Sequence, residues 1–141
     1  MKSQDILRYA RDALVGDAAL AALVAGRIAV DQFTAAAEFD LPAVVLADAG
    51  SVALSDSPLG MVRYEMQLGI HFAVRGDALS TVTRDIAARI AARIAGDPQL
   101  GGTALQVLPP RIESSTDPEE PSVRTTTLSF PVIYQVPEGT I

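Results

Sequence analysis

Hydrophobic and polar residues alternate without a slip from Met61 to Arg75. Val62, Tyr64, Met66, Leu68, Ile70, Phe72 and Val74 interleave with Arg63, Glu65, Gln67, Gly69, His71, Ala73 and Arg75. Successive side chains of a strand point to opposite faces, so this period of two predicts one long strand with an apolar face and a wet one. At about 3.3 Å per residue it would be on the order of 50 Å long, and its end is expected to project beyond the core. A second alternating run covers Val123 to Val136. Leu128, Phe130, Val132, Tyr134 and Val136 point inward, and Thr125, Thr127, Ser129 and Gln135 point outward. Pro131 takes an outward position, where it removes a ladder donor.

Between these runs the period changes to that of a helix. Leu79, Val82, Ile86, Ile90 and Ile94 make one stripe after Gly76-Asp77, and Gly96-Asp97-Pro98 ends it. The pattern predicts a helix over 77–95 that covers Val62, Tyr64, Leu68, Ile70 and Phe72 of the long strand. At the start of the chain, Ile6, Tyr9, Ala10, Ala13 and Leu14 share a face, with Ser3 as a cap and Gly16 as a stop. Asp17 is placed to cap a short second helix through Leu20, Leu23 and Val24 that ends near Gly26. Arg27 to Val30 and Pro42 to Ala47 read as strands, and Ala104 to Ile112 as a strand interrupted by Pro109-Pro110. Asp48 to Gly60 reads as a loop or loose hairpin tip, Gly101-Gly102 as a turn, and Ser114 to Pro121 as a mobile polar loop. The expectation is an α+β fold: a mainly antiparallel sheet of about four strands, some long and amphipathic, covered on one face by helices. Residues 1–141 form a single domain.

Composition sharpens this picture. The 141 residues suit one domain, and 49% are hydrophobic but only 5% aromatic, without Trp, so the core is aliphatic and rich in alanine. A formal net charge of −6 repels phosphate backbones and argues against nucleic acid as the main partner. Cysteine is absent, which excludes a disulfide framework, a thiolate nucleophile and a sulfur-ligated metal. Met1 to Asp5 turns polar at once, unlike a signal peptide, and the run Ala18 to Ala25 is far shorter than the ~20 apolar residues of a membrane span. The chain is expected to be cytoplasmic at synthesis and to make no membrane contact.

Candidate chemistry is sparse. His71 is the only histidine, and alternation puts it on the polar face beside Gly69 and Ala73, which offer it no partner. One histidine supports no Ser-His-Asp arrangement, and there is no Gly-x-Ser-x-Gly elbow, phosphate loop or dinucleotide loop. No catalytic residue, cofactor or metal ligand is expected, so the chain is not expected to be an enzyme. The charged groups are candidates for protein contacts instead. Arg63, Glu65 and Arg75 lie on the wet side of the long strand, and Arg89 and Arg93 lie one helical turn apart. Arg84, Arg89 and Arg93 read either as stems lying along the helix or as contacts to an acidic neighbouring subunit. Asp117, Glu119 and Glu120 read either as a solvated loop or as a cation or interface site.

The order of features also resembles a known family. Asp5-Ile6-Leu7 is followed by Gly16-Asp17-Ala18-Ala19-Leu20-Ala21-Ala22-Leu23-Val24, Gly26-Arg27-Ile28 and Leu41-Pro42-Ala43-Val44-Val45-Leu46. The long alternating strand before a helix comes next, then Thr127-Leu128-Ser129-Phe130-Pro131-Val132-Ile133-Tyr134. Over nearly its whole length the chain is similar to the tail-terminator, or tail-completion, proteins of long-tailed bacteriophages and gene transfer agents, the phage lambda tail-terminator type. The resemblance implies a virion protein, assembled in the host cytoplasm, that forms a hexameric ring on the tail tube. Such a ring ends tail polymerisation and provides the joint to the head–tail connector or stopper, with DNA passing through it unread and no cofactor or catalysis involved. Its partners are further copies of itself, the tail tube protein and the connector. Two other readings stay open: a different head–tail connector such as a head-closure or neck protein, and a small-molecule binding or metal-dependent enzyme domain.

Overall fold

The computed structural model describes residues 2–24, 28–30, 43–55, 58–75, 79–116 and 123–137. In chain order the elements are α1 (Lys2–Val15), α2 (Ala18–Val24), β1 (Ile28–Val30), β2 (Ala43–Ala53), β3 (Met61–Arg75), α3 (Leu79–Ala95), a 3-10 turn (Leu100–Gly102), β4 (Gln106–Val107), β5 (Arg111–Thr116) and β6 (Val123–Pro137). The two alternating runs are β3 and β6, and they pair antiparallel from Met61 opposite Pro137 to Arg75 opposite Val123 with no register shift. β2 takes the other edge of β3, β1 lies outside β2, and β4 and β5 pair in succession along the outer edge of β6.

The architecture is α+β as expected, but the sheet has six strands instead of about four, and β1 pairs with β2 in parallel. Parallel neighbours need a connection of about a dozen residues, and in the sequence residues 31–42 separate the two strands. One of the added strands arises at Pro109-Pro110, which divide the expected single strand into β4 and β5. Ser114 to Thr116, read from sequence as loop, belong to β5; Ser114 Oγ and Thr126 Oγ1 share a hydrogen bond of 2.9 Å. The rest of that stretch, 117–121, lies outside the described residues, as do 31–40 and most of the C-terminal tail.

β2 also runs further than Ala47. Its pairing with β3 steps from Asp48 opposite Leu68 to Ser51 opposite Met66, so one extra residue is accommodated in a bulge. Gly50 takes φ +124° there, and its N–H donates to Asp48 Oδ1 at 2.8 Å. The extra residue reverses the facing of everything beyond it. Before the bulge Val44 and Leu46 point into the core; after it Val52 sits opposite Glu65 and is 67% exposed.

One core holds the layers together. Ile6, Leu7, Ala10 and Leu14 of α1, Leu20 and Val24 of α2, and Ile86, Ile90 and Ile94 of α3 bury against Val44, Leu46, Met66, Leu68, Ile70, Phe72, Leu128, Phe130 and Val132. Val62 and Tyr64, expected beneath the helix, are only half-buried, because this end of β3 runs past the helical layer. α1 begins at Lys2, so Ser3 lies within its first turn and does not cap it. Asp17 does cap α2: its Oδ1 accepts from the N–H groups of Ala19 and Leu20, both at 3.1 Å.

A polar clasp closes the helical layer. Tyr9 Oη donates to Asp97 Oδ2 at 2.5 Å, Gly101 N–H donates to Asp97 Oδ1 at 3.2 Å, and Arg93 Nε donates to the Ala13 carbonyl at 3.0 Å. The Tyr9 hydroxyl holds the Asp97 carboxyl below the usual carboxylate range, helped by the Gly101 N–H, and the same bond raises the Tyr9 phenol. Gly101 has φ +65°, and a Cβ there would come within 2.3 Å of the Tyr9 ring, so the turn needs glycine twice over.

Leu68→Ala or Ile90→Ala should each cost about 2–5 kcal/mol in chemical denaturation, and Val62→Ala distinctly less. Gly102 also has positive φ (+91°) but nothing within 4 Å of its would-be Cβ. Gly102→Ala should therefore cost about 1–2 kcal/mol, and Gly101→Ala more, since it must also displace Tyr9. The clasp makes stability depend on pH in a defined sense. The contribution of Asp97 is complete above the ordinary carboxylate value of about 3.9 and drains away as pH falls through its depressed folded value. That of Tyr9 is present below about pH 10 and is lost as pH rises through its raised folded value. Melting curves of Tyr9→Phe should be flatter at both limits than those of the parent chain.

Candidate functional site

Parity on the central ladder divides the sheet into a helix-covered face and an open one. On the open face Arg63 stands beside Gln135, Gln67 beside Pro131, Gly69 beside Ser129, His71 beside Thr127 and Ala73 beside Thr125. β5 extends the same rows with Arg111 beside Ser129, Glu113 beside Thr127 and Ser115 beside Thr125. Short polar links run along and across the strands. Arg63 Nε donates to Gln135 Oε1 at 3.3 Å, Gln67 Nε2 donates to Glu65 Oε2 at 3.3 Å, and Arg111 pairs with Glu113 at 2.8 Å. Arg63, Glu65, Arg111 and Glu113 thus alternate in sign. Toward β2 the face turns apolar, and Val45, Ala47 and Ala73 are buried.

His71 departs from its sequence reading. Its cross-strand partner, unavailable from β3 alone, is Thr127, and His71 Nδ1 and Thr127 Oγ1 share a hydrogen bond of 2.8 Å. The ring leans over Gly69, where a Cβ would lie 2.9 Å from Nε2. Burial pushes the imidazole below its usual value, so it is neutral at pH 7. A neutral imidazole on a hydroxyl is the start of a nucleophile–base pair, but the nitrogen that a carboxylate would orient faces Gly69 instead. Among the described residues no three His, Asp or Glu side chains converge as a metal site would require.

The charged residues singled out in the sequence fall on separate surfaces. Arg63 and Glu65 lie on the open face. Arg75 ends β3 at the register opposite Val123. Arg89 is exposed on the outer side of α3, beside a shallow groove formed with Ala19, Leu23, Asp85 and Ala88. Arg93 is engaged within the chain, holding the end of α1 through Ala13. Asp117, Glu119 and Glu120 lie outside the described residues.

The apolar exposure that sequence reasoning missed is at the β2–β3 end. Leu59 is fully exposed at the turn, and Val52 is exposed by the bulge. Beneath them Tyr64 stacks on Tyr134, ring centroids 5.5 Å apart, and Tyr134 Oη donates to Ser51 Oγ at 3.3 Å. Ser51, Tyr64 and Tyr134 border an open cavity of about 320 Å³ together with Lys2, Ser3, Asp48 and Val136. The only signal for this in the sequence is Gly50, where the alternation of β2 changes phase.

No protein-family model matches the sequence, and no curated protein is similar to it. Among solved structures, the chain is similar to one from the virion of a native gene transfer agent (GTA) particle. The TM-score is 0.58, the identity 15%, and the match covers 90% of this chain and 92% of that one. At this identity the likeness is one of fold, and it extends over nearly all of both chains.

Proposed function

We propose that the chain is a structural protein of a phage-like particle that closes the tail tube as a ring, ends its growth and offers the joint to the head connector. The observation that carries this reading is the shared fold with a gene transfer agent virion chain over 90% of this chain and 92% of that one. Likeness across the whole length favours a protein built as that one is, over a borrowed motif. The surface supports the same reading, since the two outermost strands differ from each other and a ring of identical subunits needs two different patches on each. Its partners would be further copies of itself, the tail tube and the connector, and its place the virion tail. The role would be stoichiometric and independent of any catalytic group. A tube end presents a repeating ring of identical sites, so subunits that bind as a ring gain from occupying all of them together.

Particles made without this chain should carry tubes of uncontrolled length that fail to join heads, as seen in electron micrographs. Tubes of normal length beside unjoined heads would instead indicate a head-closure or neck protein. Arg89→Glu, at an exposed position outside the clasp, should leave the melting temperature unchanged and lower the yield of joined particles about tenfold or more. Unchanged yield would remove Arg89 from the interface.

A further inference from the structure

The strand directions make the two outer edges of the sheet complementary to each other. β1 runs parallel to β2, β2 antiparallel to β3, β3 antiparallel to β6, and β6 antiparallel to β5. β1 and β5 therefore run in opposite directions at opposite edges. When two copies stand side by side in the same orientation, β5 of one meets β1 of the next antiparallel, with both helical layers on the same side. We propose that these two edges pair between copies, so that the sheet continues from subunit to subunit with its polar face turned to one side of the assembly.

Two features favour a second copy as the occupant. First, β5 pairs with β6 and β1 with β2, and among the described residues no strand pairs with the outer row of backbone donors and acceptors of either. β5 has no lysine, proline or bulge between Arg111 and Thr116, three of the devices that keep an edge from pairing. Second, Ile112 stands opposite Leu128 on the helix side yet is 53% exposed. Ile28 and Val30 stand opposite Val44 and Leu46 on that same side and are half-buried. Pairing the edges sets Ile112 against them. The contact is heterologous, the kind that closes into rings.

This inference rests on the ring reading above, and the test separates the two. The chain contains no cysteine, so introduced thiols report the contact without background. Within one subunit β1 and β5 are four strand spacings apart, about 19 Å, far beyond the ~7 Å between Cα atoms that a disulfide can bridge. Ile28→Cys with Ile112→Cys, and Val30→Cys with Ile112→Cys, sample the two registers that keep the helix sides aligned. Oxidation of one of these double variants, as the full chain, should give a ladder of covalent multimers on a non-reducing gel. Each single variant should give no species beyond a dimer. No multimer in either double variant, or equally efficient capture by Ile112→Cys alone, overturns the edge pairing. Electron micrographs of the same samples decide the ring separately: rings without a ladder remove the edges but keep the ring, and a ladder in open filaments does the reverse. Should the double variants not fold, Ile112→Asp decides the matter at an exposed position. It should melt as the parent does and associate about tenfold more weakly, and unchanged association would refute the pairing.

Discussion

Everything in this molecule is referred to the ladder between β3 and β6. Each strand is 15 residues long, and they stay in register throughout, so the facing of every side chain on either strand is decided by its place on one line. A slip of β6 by one residue against β3 would turn Leu128, Phe130 and Val132 out to water together, so burial of that face fixes the register. The helices are fitted to what the ladder buries. α3 sets Ile86, Ile90 and Ile94 over it, while α1 packs on β1 and β2, and α2 packs against α1 and α3. The opposite face is left with a row of hydroxyls and alternating charges.

The parts of the fold that were legible in the sequence are those whose periodicity depends on a single boundary between core and water. β3, β6, α3 and α1 obey this, and so does the Asp17 cap, whose bonds span only three residues. The parts that were not legible depend on partners distant in the chain. β1 is too short to show a period, and its three residues do not reveal that it pairs parallel to β2. The second half of β5, Ser114 to Thr116, reads as loop until β6 is placed beside it. β2 loses its alternation at the bulge, so its outer half resembles a turn.

The site shows the same division. That His71 faces away from the core followed from alternation, whereas its bond to Thr127 needed β6 in register. Arg93 looked like a surface charge because its acceptor, the Ala13 carbonyl, lies on another helix. Tyr9 looked like part of a core stripe, and its hydroxyl proved to be the group that joins α1 to the turn after α3. In each case the residue type was informative about burial and silent about its partner.

The separation of β3 from β6 along the chain has a consequence for how the molecule comes to be folded. Their pairings join residues many tens of positions apart, and such non-local contacts form slowly because loop closure must precede them. During synthesis β3 therefore emerges with one edge open and an apolar face, a combination prone to misassociation between nascent chains. α3 follows β3 in the chain, and its backbone hydrogen bonds are local in sequence. Covering the apolar face of β3 before β6 exists, the helix would leave only the edge exposed, and it would act as a shelter during biogenesis before it serves as a layer of the finished core.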